Sequence, residues 1–247
     1  MVRSRRAESH IETNYKPNMC FSATASITAG VVLGGIGLVT MAKVDAPEKR
    51  MLAMIPILFS IQQFSEAIVW KSMTTDSFTS WHQGAVYSFL LFAQVVWPAY
   101  ISGSVLKAER EEKRKRWLEV LFASGLLISG FLLYCLVRYP VEASVREHHI
   151  FYDLRYPAYA LLLMKIFYFL PTFVPPFLSS NRRIVTIGVV LVVSYLLSRL
   201  VFEKYVISVW CFFATTISLA VLYVVYPLQE RGIPGYLMRM TKYKRYR

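Results

Sequence analysis

Glu66 lies in a run of twenty residues, 51–70, that carries no other charge. At ~1.5 Å rise per residue the run is long enough to cross a ~30 Å hydrocarbon layer. A carboxylate there costs at least ~2.5 kcal/mol at a helix centre, less near an end, so it normally faces protein or water and finds a partner. Gln62, Glu66 and Trp70 recur every four residues, and Gln63 lies three before Glu66. These four therefore share one face of a helix. The chemistry such a stripe supports is recognition: a carboxylate anchors a ligand, two amides orient it and an indole walls it in. The alternative is catalysis on lipid, with Glu66 as the acid or base and His148 or Cys20 assisting.

Lys165 and Arg199 are the other ionisable residues well inside apolar stretches. Opposite charges within ~4–6 Å stabilise each other's ionised forms. Glu66 is accordingly expected to pair with Lys165 or Arg199, unless both cations snorkel towards headgroups. HExxH, GxSxG and Walker A patterns are absent. His148-His149 has no ligand spacing around it, so no metal site is expected, and the residues leave the identity of any cofactor unknown. Cys20, Cys135 and Cys211 are too few for a disulfide framework. A Cys20–Cys211 disulfide and ordinary buried thiols both remain open, since both cysteines begin apolar stretches on one side of the membrane.

The elements that must position these residues are membrane spans. Charged residues make up only 17% of the 247, against about 25% in soluble domains, and several apolar runs approach or exceed ~18 residues. The expected fold is an all-α integral membrane protein, a bundle of about seven transmembrane helices near 21–42, 51–71, 83–106, 117–137, 157–178, 184–202 and 207–226. Residues 1–18 read as a disordered tail, or as sequence upstream of a start at Met19, and 227–247 as a basic tail. A kink is expected at Trp97-Pro98, and Pro171, Pro175 and Pro176 should bend or unwind the second half of the fifth span. Gly30 and Gly34 form a GxxxG pair suited to close helix approach.

The net charge of +13 does not indicate nucleic acid, because the cations sit in short loops and the carboxyl tail, where anionic lipid headgroups select them. One side of the seven-span arrangement holds nine cations and the other seventeen. The positive-inside rule then puts the amino terminus outside and the carboxyl terminus in the cytoplasm.

Four stretches carry a family resemblance: MCFSATAS at 19–26, IQQFSEAIVW at 61–70, the Trp97-Pro98 step and SVWCFFAT at 208–215. In these the chain resembles a family of uncharacterised, mostly bacterial multi-pass membrane proteins, a domain of unknown function. The resemblance spans most of the chain from Met19 onward. It implies that Cys20, Ser22, Gln62, Glu66, Trp70, Trp97, Trp210 and Cys211 are family-typical positions, and it implies no activity. The paired HxxxH helices of ceramidase-like membrane hydrolases are absent.

Taken together, the residues point to a multi-pass protein of the inner (plasma) membrane with an outer-facing polar site. Gln62, Gln63 and Glu66 would hold a small polar or amphiphilic ligand, with Lys165 and Arg199 nearby and Trp70, Trp97 and Trp210 as walls. The expected role is that of a transporter- or receptor-like module in contact with anionic headgroups. An intramembrane lipid-modifying enzyme and a structural subunit are the alternatives.

Overall fold

The computed structural model describes residues 22–146, 149–201 and 213–226. Cys20, His148, Trp210, Cys211 and both tails lie outside the described residues. The chain is a helical bundle built from α1 (Ala23–Lys43), α2 (Pro47–Thr74), α3 (Asp76–Ala108), α4 (Glu112–Arg138), α5 (Ala158–Leu178) and α6 (Arg182–Val201). All six are long and apolar enough to cross a membrane. A shorter apolar helix, α7 (Ala214–Val225), follows, and the first residues of the seventh expected span, 207–212, lie outside the described set.

Two boundaries differ from the sequence expectation. Residues 71–82 are not a free connection: 71–74 finish α2, and Asp76–Trp81 open α3 as a tight 3-10 stretch. The charge run at 107–116 is largely helical, since α4 begins at Glu112. Lys115 pairs with Glu112 at 2.7 Å on its first turn, and Arg114 with Glu111 at 2.6 Å. Acids in a first turn suit the positive end of the helix dipole, which favours helix over loop here.

α2 is the central element, buried along most of its length, whereas α1 is largely exposed. α1 reaches it through glycines. A Cβ on Gly37 would stand 2.5 Å from Ile57 Cγ1, and one on Gly30 would stand 3.0 Å from the Phe64 ring. The close approach lets Ser60 donate a 2.7 Å hydrogen bond to the Gly30 carbonyl. Gly34 faces Ser60 as well, so the GxxxG pair lies on this contact, whereas Gly35 meets nothing within 4 Å.

α3 is distorted one turn ahead of the expected kink. Pro98 cannot donate to the carbonyl four residues back, and its ring crowds that carbonyl. Leu91–Val96 absorb this by winding as a wide, π-type turn, and α3 continues helically through Trp97-Pro98. Neighbouring helices hold carbonyls of this segment: Tyr168 on α5 donates to Ala93 at 2.8 Å and Ser129 on α4 to Val95 at 2.6 Å. In a membrane, such distorted backbone persists only where protein supplies partners. α5 itself runs as three short pieces, Ala158–Phe167, Phe169–Phe173 and Pro175–Leu178, broken around its prolines.

The stretch between α4 and α5, expected to be loop, is a β-hairpin. β1 (Val141–Arg146) pairs antiparallel with β2 (His149–Leu154), Val141 opposite Leu154. Alternation sorts its faces. Val141, Ala143, Ile150, Tyr152 and Leu154 lie on the bundle, while Arg155 ties Glu142 (2.9 Å) and Asp153 (3.6 Å) on the far face.

Apolar packing falls into two clusters along the bundle axis. One, at the hairpin end, joins the hairpin to Val69 and Trp70 of α2, Ala85 to Leu90 of α3, Leu136 of α4 and Ala160 of α5. There Tyr152 stacks on Phe89 with centroids 4.8 Å apart. The other, at the opposite end, takes Leu52 to Phe59 of α2, Trp97 to Ala108 of α3 and much of α6 and α7.

That opposite end is tied together by its loops. Glu109 is buried and accepts from the backbone N–H groups of Arg110 (2.8 Å), Glu111 (2.9 Å) and Ser180 (2.6 Å) and from the Ser180 hydroxyl (2.5 Å). Burial works to raise its pKa, but the donors from Ser180, Glu111 and Arg110 outweigh it and hold the carboxyl at about 2. Arg110 also pairs with Glu48 at 2.6 Å, and Arg114 donates to the Leu178 carbonyl at 3.0 Å. The α1–α2, α3–α4 and α5–α6 connections thus form one linked surface.

Candidate functional site

Between the two apolar clusters the core turns polar. α2 leaves one cluster at Phe59 and enters the other at Val69, and α3 does so between Leu90 and Trp97. The residues at the depth between are Gln62, Gln63, Ser65 and Glu66 on α2 and Gln94 on α3. Gln62, Gln63, Glu66 and Gln94 are each no more than 3% exposed. Sequence spacing put the α2 residues on one face, and the fold turns that face inward because α1, α3 and α7 pack around α2.

The polar groups hold one another in place. Trp97 donates its indole N–H to Gln62 Oε1 at 2.9 Å, which fixes the amide's orientation, and Phe59 packs on the Trp97 ring at 4.1 Å. Gln63 Nε2 points at Glu66 Oε2 from 3.5 Å, at the long limit for a hydrogen bond. Ser65 and Ser88 share a 2.9 Å bond between α2 and α3. Tyr156, just ahead of α5, donates to Gln94 Oε1 at 2.9 Å, and burial pushes its phenol well above the ordinary value, so it stays a donor. Gln94 Nε2 is buried with no hydrogen-bond partner among the described residues.

Trp70 is buried in the hairpin-end cluster, one turn beyond Glu66, and Trp97 is buried at the opposite edge of the layer. The layer is therefore walled by an indole on each side. Lys165 and Arg199 are both exposed on the helix surface. Lys165 makes no ion pair among the described residues, so the expected Glu66–Lys165 pair does not form. Lys165 sits beside Ile166 and Phe167 on the outward face of α5, the placement from which a lysine stem runs along the lipid. Cys135 is a buried free thiol beneath the hairpin. Trp210, Cys20, Cys211 and His148 are outside the described residues, and with them the expected third indole wall and disulfide.

Four members of the layer have no counterpart in the sequence expectation: Ser65, Ser88, Gln94 and Tyr156. Gln94 carries a readable signal, since it is the one amide in the interior of the third apolar stretch, Gln83 standing at its start, and precedes Trp97 by three residues. Tyr156 gives none: it follows the hairpin, and only the fold brings it to Gln94.

No curated protein and no solved structure matches the chain. A family model does match, over residues 19–232, and that range takes in the whole polar layer. The chain belongs to a family of unknown function, DUF6629.

Proposed function

We propose that the protein binds and passes a small polar or amphiphilic ligand across the membrane at the layer around Glu66. The observation that carries this reading is an ionisable residue, 3% exposed, set among three buried glutamines between two apolar clusters. A core built only for stability gains little from such a layer, because desolvating a carboxylate and several amides costs more than packing hydrocarbon there. Glu66 anchors the ligand, Gln62 and Gln63 orient it, and Trp70 and Trp97 wall the site. The three-piece α5 and the wide turn of α3 are the elements able to move, as broken helices are in transporters.

The orientation belongs to the same reading. The cation count puts the amino terminus outside the plasma membrane and the Glu109 surface in the cytoplasm against anionic headgroups. The hairpin then closes the outer end over Trp70, so the site is occluded and opens by hairpin movement.

Accessibility of the layer tests this without knowing the ligand. Ser65→Cys is placed in a chain lacking Cys20, Cys135 and Cys211, with a cysteine at Leu132, buried inside the protein, as control. A small, membrane-impermeant cationic thiol reagent should modify Cys at 65 from the hairpin side within minutes and leave the control unmodified. Equal protection of both positions from either side would make the layer a static part of a structural subunit.

A further inference from the structure

The wide turn of α3 places in the core a polar group that no other described residue satisfies. Its carbonyls are cared for: Ala93 receives Tyr168 and Val95 receives Ser129. Gln94 Oε1 is likewise satisfied, by Tyr156 at 2.9 Å. The Nε2 of the same amide is buried and has no partner among the described residues. Leaving a donor bare in a low-dielectric core is costly, whereas apolar side chains at 94 and 156 together would avoid that cost. π-type turns recur at functional sites for this reason: they aim one side chain where a regular helix would not. The group is a fixed donor, steered by Tyr156 and set at the depth of Glu66, where α2 and α3 both pass between the two apolar clusters.

We propose that Gln94, held by Tyr156, is a second ligand-binding residue of the layer and takes an acceptor oxygen of the ligand, while Glu66 takes its amine. This rests on the transport reading above and narrows it to a class: small molecules that join an amine to a hydroxyl or carbonyl oxygen. An anion alone is disfavoured by the Glu66 carboxylate, and an amine alone leaves Nε2 bare. Tyr156 acts through Gln94 and is a positioning residue.

The test compares two probes of nearly equal size, 2-aminoethanol and propylamine, which differ in whether an oxygen or a methyl ends the chain. Thermal unfolding of the detergent-purified full chain is measured with each at the same millimolar concentration and pH. Aminoethanol should raise the melting temperature by at least ~2 °C more than propylamine. In Gln94→Leu/Tyr156→Phe, which removes both polar partners together, the difference should vanish while the melting temperature without probe holds or rises. Equal shifts from the two probes in the wild-type chain overturn the assignment, as would a double variant that melts lower yet keeps the difference. That last result would mark Gln94 and Tyr156 as purely structural. If neither amine shifts the wild-type chain, the ligand class is wrong, while the accessibility of Ser65→Cys still decides the transport reading separately. Tyr156→Phe alone, a milder change, should weaken the aminoethanol shift without abolishing it.

Discussion

Two carboxylates, Glu66 and Glu109, are equally buried at 3% exposure, one within the helical core and one in a connection. Glu109 is surrounded by donors from two loops and is held ionised, with its carboxyl at about 2 against an ordinary 4.5. A depressed pKa contributes stability that is complete above the ordinary value and lost as pH falls from about 4.5 towards 2. Stability of the wild-type chain should therefore drop over that window by up to roughly 3 kcal/mol. Glu109→Gln should melt lower at pH 7 and show a flatter acid limb. A variant with the same acid limb as wild type would remove Glu109 from the account. Glu66 instead meets the Gln63 amide of its own helix, at 3.5 Å. The α2 stripe was legible because spacing along one helix fixes a face. Lys165 as its partner was not, because depth and charge say nothing about which way Lys165 points around its own helix. Glu109 was hidden in a charge run whose neighbours are solvated, and only the approach of Ser180 singles it out.

At the scale of elements, glycines and the wide turn decide how closely helices meet. A Cβ on Gly125 of α4 would stand 2.6 Å from the Pro98 carbonyl, a backbone atom with little room to move. Gly125→Ala and Gly37→Ala should each cost about 1–3 kcal/mol through overpacking, whereas Gly35→Ala should be neutral or slightly stabilising. Detergent melting curves of the three variants check this, and equal stability of all three would contradict the packing described. Ser129→Ala should cost about 1 kcal/mol by uncovering the Val95 carbonyl, and the loss should appear as faster hydrogen exchange confined to 91–96. Apolar length located the six long helices and the prolines located the breaks in α5. The distortion in α3 moved upstream of Pro98 because the atoms in conflict belong to the preceding turn. The hairpin was missed because its six-residue strands sit in a loop-length, mixed-polarity stretch, and their apolar face acquires meaning only against Trp70 and Phe89.

For the whole molecule the two ends differ in how they are held. One end is a hairpin seated by apolar contacts on Trp70, Val86 and Phe89. The other is fastened through Glu48–Arg110 and Glu109–Ser180 across three connections. The polar layer lies between them, closed on both sides. If the orientation from the cation count holds, cysteines placed at Val145 and at Lys113 should react with impermeant reagent from outside and from inside, respectively. The reverse pattern would invert the molecule without moving the layer. The central claim is that this layer holds a ligand through Glu66. The most direct measurement is native mass spectrometry of the gently activated wild-type protein beside Glu66→Gln, a nearly isosteric change that should leave the fold and melting temperature close to wild type. The account predicts a bound small molecule, of one defined mass, on the wild-type chain and its loss from the variant. The same adduct on both proteins, or a bare wild-type chain that copurifies only with a foreign subunit, would contradict it.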